Sequence, residues 1–92
     1  MTDAPAGTIR YWAAAREAAG AAEEPYRAGT LAEALAAAVA RHGGPDATLA
    51  RVFARCSFVV DGSPSGRRDP ATVALRPGGV VEVLPPFAGG AR

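Results

Sequence analysis

Hydrophobic positions recur along this chain with two different periods, and each change of period marks the end of an element. Thr8-Ile9-Arg10-Tyr11-Trp12 alternates β-branched or aromatic residues with a charge, which predicts a short strand with Ile9 and Tyr11 on one face. Ala13 to Ala19 is alanine-rich around Arg16-Glu17 and predicts a turn or two of helix, stopped by Gly20. Glu23 to Arg27 is a second strand candidate, paired antiparallel with the first across a long connection. The period then becomes helical. Thr30 with Glu33 three positions later forms a capping box, in which each side chain satisfies an unpaired backbone N–H. Leu31, Leu35, Ala38 and Val39 follow on one helix face, and Gly43-Gly44-Pro45 ends the run. Asp46 stands where it can cap another helix, whose apolar face is Leu49, Val52, Phe53 and Cys56.

The remainder reads as strands and turns. Phe58-Val59-Val60 is a strand and Asp61-Gly62 a turn, followed by a polar loop from Ser63 to Asp69. Val73-Ala74-Leu75 is a short apolar piece read as a minor strand, and Arg76-Pro77-Gly78-Gly79 is a tight turn. Val80 to Leu84 is the most β-prone run in the chain, and Pro85-Pro86 closes it because proline cannot donate to a ladder. Strands on either side of a helical block predict an α+β fold, with the helices on one sheet face. At 92 residues, without repeats or an internal linker, the chain is one small domain. The expected division is a flexible N-terminus over 1–7, a folded domain over 8–86 and a flexible tail over 87–92.

Charge and composition narrow the chemistry. Ten arginines face nine acids, so the net charge of +1 makes no electrostatic case for nucleic acid or an anionic membrane. There is no lysine, so no side chain can form a Schiff base or accept an isopeptide bond. Acyl chemistry is left to the chain ends, Cys56 or a hydroxyl. A single cysteine excludes an internal disulfide framework. No apolar stretch follows Met1-Thr2-Asp3, and no run approaches the roughly 18 apolar residues of a membrane span, so a cytoplasmic protein is expected. Cys56 on an apolar face reads as a structural thiol. His42 reads as a complement to the helix dipole. One His and one Cys make no metal site. Gly78-Gly79 lacks the lysine and following helix of a phosphate loop. Arg67-Arg68-Asp69 reads as a solvated loop, or as a dock for an acidic partner.

The end of the chain is where chemistry concentrates. The two prolines stiffen the exit from the last strand, while Gly89 and Gly90 make the tail thin enough to enter a narrow channel on another protein. A glycine carboxylate is also the least hindered acyl group that a chain can offer for adenylation and attack by sulfur. Pro86, Phe87 and Ala88 would be the partner-contacting stem, with Phe87 either an anchor in a partner groove or packed back on its own sheet. Composition by itself also allows a Gly-rich end with no role.

Three segments carry a resemblance. Tyr11-Trp12-Ala13-Ala14-Ala15-Arg16-Glu17-Ala18-Ala19-Gly20 resembles the aromatic-Ala-x-x-Arg-Glu-x-x-Gly opening of the molybdopterin synthase small subunit, a family of ubiquitin-like sulfur carriers. Thr30 to Leu35 is similar to that family's helix start, and Arg76 to Gly90 resembles its closing turn, strand, double proline and Gly-Gly. The resemblance covers most of Ile9 to Gly90. It implies a β-grasp fold, with a mixed sheet of about four to five strands and helices on one face. It also implies that Gly90 is the acyl carrier and Gly89 its spacer. An E1-like adenylyltransferase would consume ATP to activate Gly90, and the molybdopterin synthase large subunit would receive the sulfur from its thiocarboxylate. The chain would bind no cofactor and act as a non-catalytic carrier, the small subunit of a synthase complex. Thiamine, cysteine or natural-product pathways are alternative clients. A ubiquitin-like modifier and a β-grasp interaction module are alternative roles.

The chain departs from that pattern at Ala91-Arg92. Gly90 is bound in an amide, which cannot be adenylated as a carboxylate can. Removal by a processing protease is the favoured expectation. The alternatives are a divergent paralogue that carries no sulfur, and use of the Arg92 carboxylate itself.

Overall fold

A computed structural model describes residues 4–86. In chain order the elements are β1 (Ala6–Tyr11), α1 (Ala13–Ala19), β2 (Glu23–Arg27), α2 (Leu31–Arg41), α3 (Thr48–Phe53), β3 (Ser57–Val60), β4 (Ser63–Pro64), a 3-10 turn (Pro70–Thr72) and β5 (Val80–Leu84). The five strands form one sheet in the order β2-β1-β5-β3-β4. The first and last strands lie side by side at its centre and run parallel, with Ile9 opposite Val81 and Tyr11 opposite Val83. The other pairs are antiparallel. The α+β class is the one that the pattern of elements predicts, and the mixed sheet is that of the β-grasp fold implied by the resemblance.

Alternation along the strands builds the core. Ile9, Tyr11, Tyr26, Val60, Val81 and Val83 are buried together with Ala15, Ala19, Leu31, Ala34, Ala38, Leu49 and Phe53 of the helices. The helices therefore cover one face of the sheet. Leu31 and Leu49 have essentially no exposed surface, and each contributes about 1.5–3 kcal/mol by leaving water. Alanine does much of the remaining packing, which brings the helix backbones close to the sheet. The open face carries Thr8, Arg10 and Glu82 on alternate positions.

Both sheet edges carry proline. Thr8 N–H donates to Gly79 O at 3.0 Å, toward β5, so its opposite number on β2, Pro25, turns its nitrogen to the open edge. Pro64 on β4 has the same relation to Val59, because Ser65 N–H donates to Phe58 O at 2.9 Å. No ladder bond is lost in either place, and each edge is a poorer template for another strand.

Several local expectations change. β1 begins at Ala6 rather than Thr8, with Ala6 opposite Arg27 and Pro5 O accepting from Ala28 N–H at 2.9 Å. Gly7 is thus part of the sheet and not of a loose lead-in. A Cβ on it would lie 2.5 Å from the Tyr26 ring and from Gly79 O, so only glycine fits. Trp12 leaves the strand and becomes the N-cap of α1. Thr30 Oγ1 caps α2 by accepting from Glu33 N–H at 3.2 Å, but Glu33 Oε1 accepts from Gly29 N–H, one residue before the cap. Asp46 does not cap α3. The N-cap is Ala47, without a side-chain bond, and Asp46 O accepts from Arg51 Nη1 at 2.7 Å.

Two differences lie farther along. Asp61 (φ 52°) and Gly62 (φ 84°) both turn left-handed, which makes a tight hairpin, so Ser63-Pro64 pairs as a strand where a loop was expected. Val73 to Leu75 is no strand of the sheet. Ala74 makes an isolated bridge to Thr30, while Leu31 N–H donates to Val73 O and Leu75 N–H to Gly29 O, both at 2.9 Å. The segment therefore fastens the start of α2.

Candidate functional site

The feature that organises the site is the exit of the chain from β5. Pro85 is buried and Pro86 is exposed. Both line a small groove of about 160 Å³ with Ala14 of α1, Val52 of α3 and Arg55. On the open face, Trp12 lies beside the same exit because β1 and β5 are parallel. Its N–H donates to Val83 O, and its Nε1–H donates to Glu82 Oε1, both at 3.2 Å. Trp12 is 43% exposed, a large apolar ring left in water within reach of the tail's root. The left-handed backbone of Ala13 (φ 50°) makes the abrupt turn from β1 into α1. The end of β5 thus leaves between an aromatic ring and an apolar groove, and proline keeps the chain from folding back into the ladder.

Of the sequence-predicted site residues, Pro86 lies at this exit. Phe87, Ala88, Gly89 and Gly90 lie outside the described residues. Trp12, Ala14, Val52 and Arg55 were not singled out for the site by sequence reasoning. Their convergence follows from the parallel β1–β5 pairing and the packing of α1 on α3, which no local pattern encodes. The resemblance of the Tyr11–Gly20 segment did mark Trp12's neighbourhood, without placing it beside the tail.

A second polar cluster sits on the helix-covered face. Glu24 is opposite Ile9 and so points inward. Its carboxylate accepts from the Tyr11 hydroxyl, from His42 Nε2 at 3.0 Å and from Arg41 Nη2 at 3.2 Å. Burial favours the neutral carboxyl, but these three donors outweigh it and hold Glu24 below its ordinary range. Burial, together with the bonded carboxylate, pushes the Tyr11 phenol well above its ordinary value. His42 therefore does more than face a helix end: it ties α2 to β2. Tyr11 stacks on Phe53 and meets His42 edge-on, so the cluster is braced by ring packing.

Cys56 lies three residues past α3, partly buried, and its thiol donates to Val52 O at 3.1 Å. Burial pushes the thiol up to about 11, so it is protonated at neutral pH and a poor nucleophile. Among the described residues, no group of three or more His, Cys, Asp or Glu is placed to hold a metal ion. No helix among them is long and apolar enough to cross a membrane.

The family model described as the ThiS family matches residues 9–90, a span that runs from β1 through the exit and closes on Gly90. The chain belongs to the ThiS family. This is a family of ubiquitin-fold sulfur carriers. Solved structures share the fold. The small archaeal modifier protein 1 of Methanosarcina acetivorans is similar at a TM-score of 0.79 and 18% identity, over 98% of this chain and all of that one. The HVO 2177 protein of Haloferax volcanii aligns at 0.73 and 25% identity, over 94% of this chain and 87% of that one. A candidate molybdopterin converting factor subunit 1 from Pyrococcus furiosus aligns at 0.66 and 21% identity, over 91% of this chain and all of that one. Among curated proteins, none matches the sequence.

Proposed function

We propose that this ThiS-family chain carries sulfur as a thiocarboxylate on Gly90, after proteolysis removes Ala91-Arg92, and that it donates that sulfur in molybdopterin biosynthesis. The observation that supports this reading most directly is the exit: β5 runs through a buried and then an exposed proline into a stem that reaches Gly89-Gly90 within four residues. Proteins of this kind work with E1-like activating enzymes and sulfur-acceptor enzymes. On such an enzyme the Gly90 carboxylate attacks the α-phosphorus of ATP and releases pyrophosphate. A persulfide (R–S–SH) on the activating enzyme or its sulfur donor then displaces AMP to give an acyl disulfide, and a second thiol attacks the donor's sulfur, forming a disulfide with it and releasing the thiocarboxylate. ATP belongs to the partner. The chain itself presents the acyl group, and its body, anchored by Pro85, positions it. The acceptor would be a molybdopterin synthase large subunit.

A modifier role uses the same exposed Gly90 with a lysine amine as acceptor. The similarity to the small archaeal modifier protein supports keeping it as the second reading, and the absence of lysine here precludes isopeptide-linked chains of the protein through its own side chains. Intact mass of the protein purified from its native host tests the proposal. The expected species ends at Gly90, and a fraction of it carries the mass increment of sulfur replacing oxygen. Protein that retains Ala91-Arg92 while molybdoenzymes in the same cells are active sinks it. Gly90 found joined to lysines of other proteins, without a thiocarboxylate, favours the modifier.

A further inference from the structure

The overall charge of +1 conceals an uneven surface around the tail exit. Arg55 lines the groove against Pro85 and Pro86. Arg51, four residues earlier, shares a neighbouring shallow groove with Arg55 and Val52. A separate groove of about 370 Å³ is lined by Arg67 and Arg68 together with Cys56 and Ser57. Ser57 lies opposite Leu84, the last residue of β5 before Pro85. One pair of arginines thus lies at the end of β5 on the helical side, and the other lies across β3 from it, in the loop after β4, where Arg68 also borders a groove with Asp61 and Arg76. All four are exposed.

None of the four forms an ion pair with a described residue. Among the described residues, the only ion pairs are those of Arg41 and His42 with Glu24. Several carboxylates instead accept hydrogen bonds: Glu33 from Gly29 N–H, Asp61 from Val80 N–H, Asp69 from Ala71 N–H and Glu82 from the Trp12 indole. Asp69 thus follows Arg67-Arg68 in sequence but caps the 3-10 turn. Arg51 donates only to the carbonyl of Asp46, which orients the guanidinium without neutralising it.

We propose that Arg51, Arg55, Arg67 and Arg68 form a basic arc around the tail exit that docks on an acidic protein surface at the mouth of the activating enzyme's tail channel. The proposal rests on the reading of the tail as the working end. A guanidinium fork matches a carboxylate in two parallel hydrogen bonds, so an arc of arginines selects a carboxylate-bearing rim. Charges placed beside the tail steer the exit toward the channel during encounter. The near-neutral total charge gives nucleic acid no comparable long-range attraction. Arg67-Arg68 thereby acquires a role beyond that of a solvated loop.

The test is ATP–pyrophosphate exchange by the E1-like adenylyltransferase of the same genome, with the carrier purified from its native host. Two double variants reverse charge, Arg51→Glu with Arg55→Glu and Arg67→Glu with Arg68→Glu. Arg27→Glu on β2 is the distant control, and thermal melts verify that each is folded. The expected result is a KM for the carrier raised roughly tenfold or more by each reversal, an unchanged kcat and a weaker dependence on salt. Arg27→Glu stays within about twofold of wild type. Reversals that leave KM unmoved, or a control that raises it equally, overturn the docking proposal while wild-type exchange keeps the carrier reading intact. Absence of exchange with the wild type overturns both. If bulk tRNA binds the wild type but not the reversals, and KM does not move, the arc serves nucleic acid and the proposal fails.

Discussion

At position 24 a carboxylate faces the helix-covered side of the sheet, and its neighbours make that tolerable. Tyr11, His42 and Arg41 all donate to it, from β1 and from the end of α2. Its depressed folded-state pKa sets the sign of the pH effect. The stabilisation is present above the ordinary value of 4.5 and is lost as pH falls through the lower folded value. Tyr11 acts in the opposite direction. Its raised pKa gives stability that is present below pH 10.0 and lost as pH climbs past it. Glu24→Gln is expected to lower stability near neutrality by about 1–2 kcal/mol and to flatten the acid limb of the stability curve. Urea midpoints measured from about pH 7 down to about pH 3 check this, and a variant with the wild-type acid slope contradicts it.

Among the elements, α2 depends most on its first turn. Its length of eleven residues is marginal for an isolated helix, so packing and capping hold it. Thr30 accepts from Glu33 N–H, Glu33 reaches back to Gly29 N–H, and the Val73–Leu75 segment clamps the same turn through two backbone bonds. Thr30→Ala removes the cap and leaves the clamp, so a loss of about 1 kcal/mol is expected. Hydrogen exchange should locate it, with faster exchange at Leu31 to Ala34 and unchanged protection in β1 and β5. Uniformly faster exchange would mean that the cap supports the whole domain and not the helix end. α3 lacks a side-chain cap altogether, and its six residues rely on burial of Leu49 and Phe53.

For the whole molecule, the body and the tail divide the work. Among the described residues, the buried hydrophobic cluster is drawn from residues between Ile9 and Val83. Deleting residues 87–92 is expected to leave the melting temperature within about 2 °C of wild type while abolishing activation by the E1-like enzyme. Circular dichroism melts and pyrophosphate exchange measure the two effects. A drop of about 5 °C or more would show that Phe87 packs on the body instead of serving a partner groove.

Much of this was legible locally. The alternation of Ile9 and Tyr11, the Thr30–Glu33 cap, the Gly20 stop and the Val80–Leu84 run each encode an element, because backbone propensity and side-chain period act over a few residues. Glu23–Arg27 was legible as a strand, but its face was not: Glu24 looks solvent-bound until Tyr11, His42 and Arg41 are brought around it. Gly7 looks like part of a loose end until Tyr26 and Gly79 approach it. Asp46 offers a cap that α3 starts too late to use. The sequence alone determined the kinds of elements, their order and the motif-bearing tail. The tertiary structure alone decided that the first and last strands lie parallel, and hence that Trp12, Arg55 and the prolines meet at one exit. The reason is physical: contacts closed across some 70 residues are set by the shared burial of distant surfaces, which no local window contains.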